Sequence, residues 1–152
     1  MSETTEFLES VLPRLQEADT AFHNGDAGPR FAIWSHNEPV TLFGAVVTKS
    51  GWGEIGPAFE WLASRFSDCG SFEYEVIAAD ARGDLAYLVA IEYTTASIGG
   101  AAPASYALRV TTIFRRENGE WRAVHRHGDP APESLSATRD QLARFGEERP
   151  SR

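Results

Sequence analysis

Cysteine is almost missing from this 152-residue chain: Cys69 stands alone, so no intrachain disulfide can form. A lone thiol fits a reducing cytoplasm. Nothing in the surrounding "SDCGS" would depress its pKa, so Cys69 reads as a small residue where a helix runs out, not as a nucleophile. Long apolar runs are missing as well. None approaches the roughly 20 residues that span a bilayer. The N-terminal "MSETTEFLES" also lacks the basic start and apolar centre of a secretory signal. Positive charge is the third shortage. Lysine and arginine total 14 against 22 aspartates and glutamates, a net charge of −8. That surplus repels phosphate backbones and anionic lipid, so neither nucleic acid nor a membrane is expected as a partner. A cytoplasmic location is the expectation.

What is present is enough for a core. Hydrophobic residues make up 42% of the chain and aromatics 11%, and the length suits one domain, expected over residues 1–130. Phe7, Leu8, Val11, Leu12, Leu15, Ala18 and Phe22 fall on one helical stripe. Pro13 interrupts it, which predicts a kink or a late start. Asn24-Gly25 then supplies a stop. "GPRFAIWS" reads as a short second helix with Pro29 in its first turn, and "PVTLFG" as a short strand. Ile55, Phe59, Leu62 and Phe66 mark a third helix, which Gly56-Pro57 would allow to begin late.

From Phe72 the apolar period changes to two. "FEYEVIAADA", "LAYLVAIEYTTAS", "SYALRVTTIFRR" and "WRAVHRHGD" read as four antiparallel strands joined by turns. Asn118-Gly119 is the strongest hairpin signal, because a type I′ turn needs positive φ at both central residues. Helices gathered against such a sheet make an α+β fold. The polar remainder, residues 131–152, is expected to form a loosely docked tail, with "TRDQLARF" supplying two helical turns.

A two-residue turn at Asn118-Gly119 sets Glu117 opposite Glu120, Phe114 opposite Ala123, Thr112 opposite His125 and Val110 opposite His127. On that register His125 and His127 share the apolar face with Trp121 and Ala123, while Arg109 and Arg126 lie on the other. The preceding hairpin places Phe72, Tyr74, Val89, Ile91 and Tyr93 together, and Glu75 beside Glu92 on the opposite face. Two adjacent carboxylates are destabilising without a cation, which Arg109 or Arg126 would supply. A single bulge in either hairpin inverts part of this sorting.

Three readings of the His-x-His pair stay open. As metal ligands the two lack a third partner at recognisable spacing, so neither metal nor cofactor is expected. As core residues they would be neutral and hydrogen-bonded. As pocket residues they would be the candidate acid or base.

"FHNGD", "VTLFG", "SGWGEI…WLASRF" and "ALRVTTIFRRENGEWRAVHRHGD" together resemble the SnoaL-like branch of the nuclear transport factor 2-like superfamily, over roughly residues 5–130. The last strand, with Trp121, His125 and His127, is also similar to the association domain of calcium/calmodulin-dependent kinase II. The resemblance implies a cone, a strongly curved sheet wrapped around helices and open to a pocket, and homodimers packed through the sheet's outer face. Glu75, Glu92, Arg109 and Arg126 would then lie in the subunit contact. It further implies a ligand pocket for a small organic molecule, with His125, His127, Arg109, Trp52, Phe43 and Tyr93 as lining candidates. The superfamily holds both enzymes and non-catalytic members, so fold alone licenses no reaction. The positions of ketosteroid isomerase's catalytic tyrosine and aspartate fall on Ala18 and Phe43, which transfer no protons. A binding or oligomerisation module is the first expectation, and an acid/base enzyme acting on an apolar or polycyclic substrate is the alternative.

Overall fold

The computed structural model describes residues 2–132, so the expected tail lies outside the described residues from position 133 onward. Helix α1 (Glu3–Phe22) is followed by α2 (Gly28–Ile33), strands β1 (Thr41–Phe43) and β2 (Thr48–Ser50), and helix α3 (Trp52–Ser64). Four long strands complete the chain: β3 (Phe66–Arg82), β4 (Leu85–Ile98), β5 (Ala104–Glu117) and β6 (Glu120–Pro130). One sheet holds all six in the order β2-β1-β6-β5-β4-β3. Its ladders are antiparallel except where β1 runs parallel to β6. This is the expected α+β architecture, with one short strand more than the sequence reading.

Two expected helix boundaries are corrected. α1 runs through Pro13 and α3 through Pro57. A proline removes the hydrogen bond to the carbonyl four residues back, here Glu9 and Gly53. Both of those residues are exposed, so the freed carbonyls are open to solvent and neither helix has to end.

The helices bury their apolar stripes against the inner sheet face. Phe7 of α1 meets Phe114 and Trp121 edge-on, each with ring centroids 5.2 Å apart. Phe59 of α3 does the same to Trp34 at 5.2 Å. Burying such a side chain stabilises the fold by roughly 1.5–3 kcal/mol.

The Asn118-Gly119 turn forms as expected, with φ of 52° and 79°. The register beyond it does not hold. Glu117 faces Glu120 and Phe114 faces Ala123, but a bulge at Val124 then pairs Ile113 with His125, Thr112 with Arg126 and Thr111 with His127. A second bulge, at Ile77 in β3, pairs Tyr74 with Glu92 and Glu75 with Ile91. Because side chains alternate, one extra residue sends everything beyond it to the other face. His125, His127 and Tyr93 therefore turn outward, and Arg126 and Glu92 turn inward.

Candidate functional site

Asp19 extends the buried stripe of α1 into its last turn, where a purely apolar helix would have placed a leucine, and His23 follows as the residue that caps its C-terminus. Both are almost completely buried, as is Arg30 of α2. Opposite them the inner face of the sheet presents Tyr74 from β3, Glu92 and Thr94 from β4, Tyr106 from β5 and Arg126 from β6. Between helices and sheet lies a cavity of about 70 Å³. Leu42, Val46, Phe59 and Leu62 give it apolar walls, and His23, Arg30, Glu92, Tyr106 and Arg126 a polar floor. The turn from Gly44 to Val47, closed by a 2.9 Å bond from the Gly44 amide to the Val47 carbonyl, forms one side.

The charges come in pairs. An Arg30 guanidinium nitrogen donates to the Asp19 carboxylate, whose other oxygen accepts from the Tyr74 hydroxyl. Arg126 grips Glu92 with two bonds, 2.8 and 2.9 Å. Burial alone would raise the Asp19 carboxyl, but Arg30, Arg126 and the Tyr74 bond outweigh it and hold the group below the usual carboxylate range. Burial and the neighbouring carboxylates push the Tyr74 hydroxyl far up, so it stays protonated and donates. For Arg126, burial opposes the charged form, and Glu92 and Asp19 more than reverse it.

His23 completes the floor. Its Nδ1 lies 2.7 Å from the Asp19 backbone carbonyl and its Nε2 2.9 Å from the Tyr106 hydroxyl. A carbonyl only accepts, so Nδ1 carries the proton and Nε2 accepts from Tyr106. Burial lowers the imidazole to about 4, which keeps it neutral. Burial also raises the Tyr106 hydroxyl, while a hydrogen bond from Thr94 acts the other way.

The family model for the SnoaL-like domain matches residues 11–131, a span that contains every member of this floor. The chain belongs to the SnoaL-like domain family. No curated protein matches it. Among solved structures it is similar to a protein with a cystatin-like fold from Caulobacter vibrioides, at 22% identity and a TM-score of 0.63, over 91% of this chain and 99% of that one. A nuclear transport factor 2-like protein from Rhodospirillum rubrum shares 17% identity with a TM-score of 0.63, over 80% and 98%. A Thiobacillus denitrificans protein named for the calcium/calmodulin-dependent protein kinase type II association domain shares 16% with a TM-score of 0.59, over 84% and 91%. At these identities the likeness is one of fold.

Against this SnoaL-like frame, the six residues expected to line the pocket lie elsewhere. His125 is on the outer face, with its Nδ1 2.7 Å from the Thr41 hydroxyl, and burial and nearby His127 lower its pKa. His127 is exposed beside it, and Phe43 meets both rings edge-on at 5.3 and 5.6 Å. Arg109 binds Asp129 through two 2.9 Å bonds, also outside. Tyr93 is exposed on the same face. Trp52, at the start of α3, stacks on His36 at 3.9 Å and faces no part of the cavity. The expectation that Glu92 and Arg126 share a face is met, but the face is the inner one. Glu75 and Arg109 stay outside. The missed residues, Asp19, His23 and Arg30, had one readable signal: Asp19 and His23 are polar groups at core-facing positions at the end of the first helix and on its cap.

Proposed function

We propose that this SnoaL-like domain binds a small organic molecule in the cavity between its sheet and helices, as a binding module and not as a proton-transfer catalyst. The observation that carries the reading is the division of one cavity into apolar walls and a hydrogen-bonding floor, the lining pattern of small-molecule sites in a space of about 70 Å³ that suits a ligand of only a few heavy atoms. Against chemistry stands the state of the floor. A general base works best with a pKa near the operating pH. His23 sits at about 4, Asp19 is held by Arg30 and Tyr74, and both Glu92 oxygens accept from Arg126.

Xenon, which enters small apolar cavities, tests the reading. Methyl NMR under xenon pressure is expected to shift the signals of Leu42, Val46 and Leu62, and Leu62→Trp is expected to remove the effect by filling the space. If no cavity methyl responds in the wild-type protein, the interior is closed to ligands and the reading is lost.

A second reading concerns the outer face, where we propose that two copies pack together. Ile77, Tyr87, Tyr93, Ile113 and Phe43 are each more than one-third exposed there. Strand pairing sets Tyr87 beside Ile113, Ile113 beside His125 and His127 beside Phe43, so much of the apolar surface is contiguous. Such patches mark interfaces. Glu73 and Glu75 edge the β3 side, and Arg109 and His127 lie on the other. Arg109 is already paired with Asp129 there, so a twofold axis across the face would match apolar patch to apolar patch and not opposite charges. Sedimentation is expected to give a dimer that Tyr93→Lys weakens. A strict monomer at micromolar concentration would overturn this. No described helix is long and apolar enough to cross a membrane, and we place the dimer in the cytoplasm, in keeping with the free thiol of Cys69.

A further inference from the structure

The ions of the cavity floor form two closed pairs. Arg30 with Asp19 and Arg126 with Glu92 carry two positive and two negative charges into the interior, and these cancel. A neutral floor offers a charged ligand no counter-ion. One more buried charge would then cost far more than its hydrogen bonds return.

The hydrogen-bonding capacity of the floor is uneven. Both His23 nitrogens are engaged, and the Tyr106 hydroxyl donates to His23. Arg30 differs. One guanidinium nitrogen donates to Asp19, and its remaining N–H groups have no hydrogen-bond partner among the described residues, although the side chain is only 8% exposed and lines the cavity. Its guanidinium carbon sits 3.6 Å from the centre of the Phe22 ring, a cation–π contact that helps hold the side chain in place. Glu92 lines the same cavity, and each of its oxygens takes one bond from Arg126, leaving further lone pairs. Arg30, Glu92 and Tyr106 all line this one small cavity, so the free donor and the free acceptor border the same space.

We propose that the cavity selects an uncharged ligand with a carbonyl acceptor and a hydrogen-bond donor on the adjacent atom, a primary carboxamide being the simplest such group, and rejects carboxylates of the same shape. The ligand carbonyl accepts from Arg30, the ligand N–H donates to Glu92, and the alkyl part packs on Leu42, Phe59 and Leu62. This rests on the reading of the cavity as a ligand site.

Isobutyramide and isobutyrate test it, because they match in shape and differ in charge and donor. Titrated into methyl-labelled wild-type protein near pH ~7, isobutyramide is expected to shift the Leu42, Val46 and Leu62 methyls with an affinity about tenfold or more above that of isobutyrate. Lowering the pH toward ~5 narrows the gap, since the acid then protonates into a neutral donor–acceptor group. Arg30→Lys keeps the charge beside Asp19 but loses the fork, and is expected to abolish the preference. If that variant fails to fold, the wild-type ligand pair still decides. Isobutyrate binding as well as the amide near pH ~7, or an unchanged preference in Arg30→Lys, overturns the proposal. Xenon separates the two levels. If xenon shifts the cavity methyls and isobutyramide does not, the carboxamide assignment falls and the cavity stands. If neither does, both fall.

Discussion

Arg126 of β6 reaches across the inner face of β5 to grip Glu92 of β4, two strands away, with bonds of 2.8 and 2.9 Å. Both side chains are mostly buried, at 14% and 6% exposure. A buried ion pair contributes little net stability, because desolvation offsets the attraction. Removing one partner is another matter, since it strands the other charge. Glu92→Leu or Arg126→Met alone is expected to cost about 3–5 kcal/mol, and the double variant far less than the sum. Urea denaturation of all four proteins gives the cycle. Additive losses would mean that the pair does not act as a unit.

His23 makes stability depend on pH. Its folded pKa of about 4 lies below the ordinary histidine value of 6.5, so between those values the unfolded chain binds a proton that the folded one refuses. Its contribution is therefore complete above roughly pH 6.5 and is lost as pH falls toward about 4, a change on the order of 3 kcal/mol. Asp19, held below the usual carboxylate range, acts in the same direction at lower pH, its contribution disappearing as pH falls through its folded pKa. Denaturant midpoints measured from about pH 7 down to pH 4 should fall steeply in wild type. His23→Gln, which has no titrating ring, should flatten the upper part of that curve. A wild-type curve level across this range would show that His23 is not held neutral.

Most of the fold was legible because its signals are local. The stripe of α1, the change of period at Phe72 and the Asn118-Gly119 turn each follow from residues within one or two turns of each other. The sheet side of the site was not legible, and the cause is two residues. Val124 and Ile77 each sit as one extra residue in a ladder, and nothing in an alternating sequence distinguishes a bulged residue from a paired one. Past Val124 the register gives the histidines to the outer face and an arginine to the core. That is the reverse of what hydrophobicity alone favours, and the arginine is tolerated only because Glu92 meets it. Arg30 was hidden for a different reason. Its partner, Asp19, is on another helix, and a six-residue helix has too little periodicity to show which side chain points inward.

The outward position of the His-x-His pair has a measurable consequence. His125 is half-buried and bonded to Thr41, and His127 is exposed. Surface substitutions of this kind change stability little. His125→Ala is expected to cost about 1 kcal/mol through the lost hydrogen bond, and His127→Ala less. Neither should alter xenon or isobutyramide shifts at Leu42 and Leu62. Unfolding of either variant, or loss of cavity binding, would put the histidines inside after all.

Glu38 offers a test of how the approach to the cavity is held. Its carboxylate accepts from the Trp52 amide at 3.0 Å, at the start of α3, and from the Val40 amide at 3.2 Å, just before β1. One side chain thus ties the N-terminus of α3 to the strand that carries Leu42, from 14 residues away in sequence. An anion there satisfies an orphan helix N–H and meets the positive end of the helix dipole. Glu38→Ala should cost about 1–2 kcal/mol. Glu38→Gln should lose only part of that, because its amide oxygen can still accept one of the two bonds. The loss should appear locally first. Amide exchange at Trp52 and at Ile55, whose amide bonds Gly51 in the same first turn, is expected to quicken, while exchange in β4 and β5 follows global stability alone. Equal acceleration everywhere would mean that Glu38 stabilises the domain as a whole and does not act as a cap on α3.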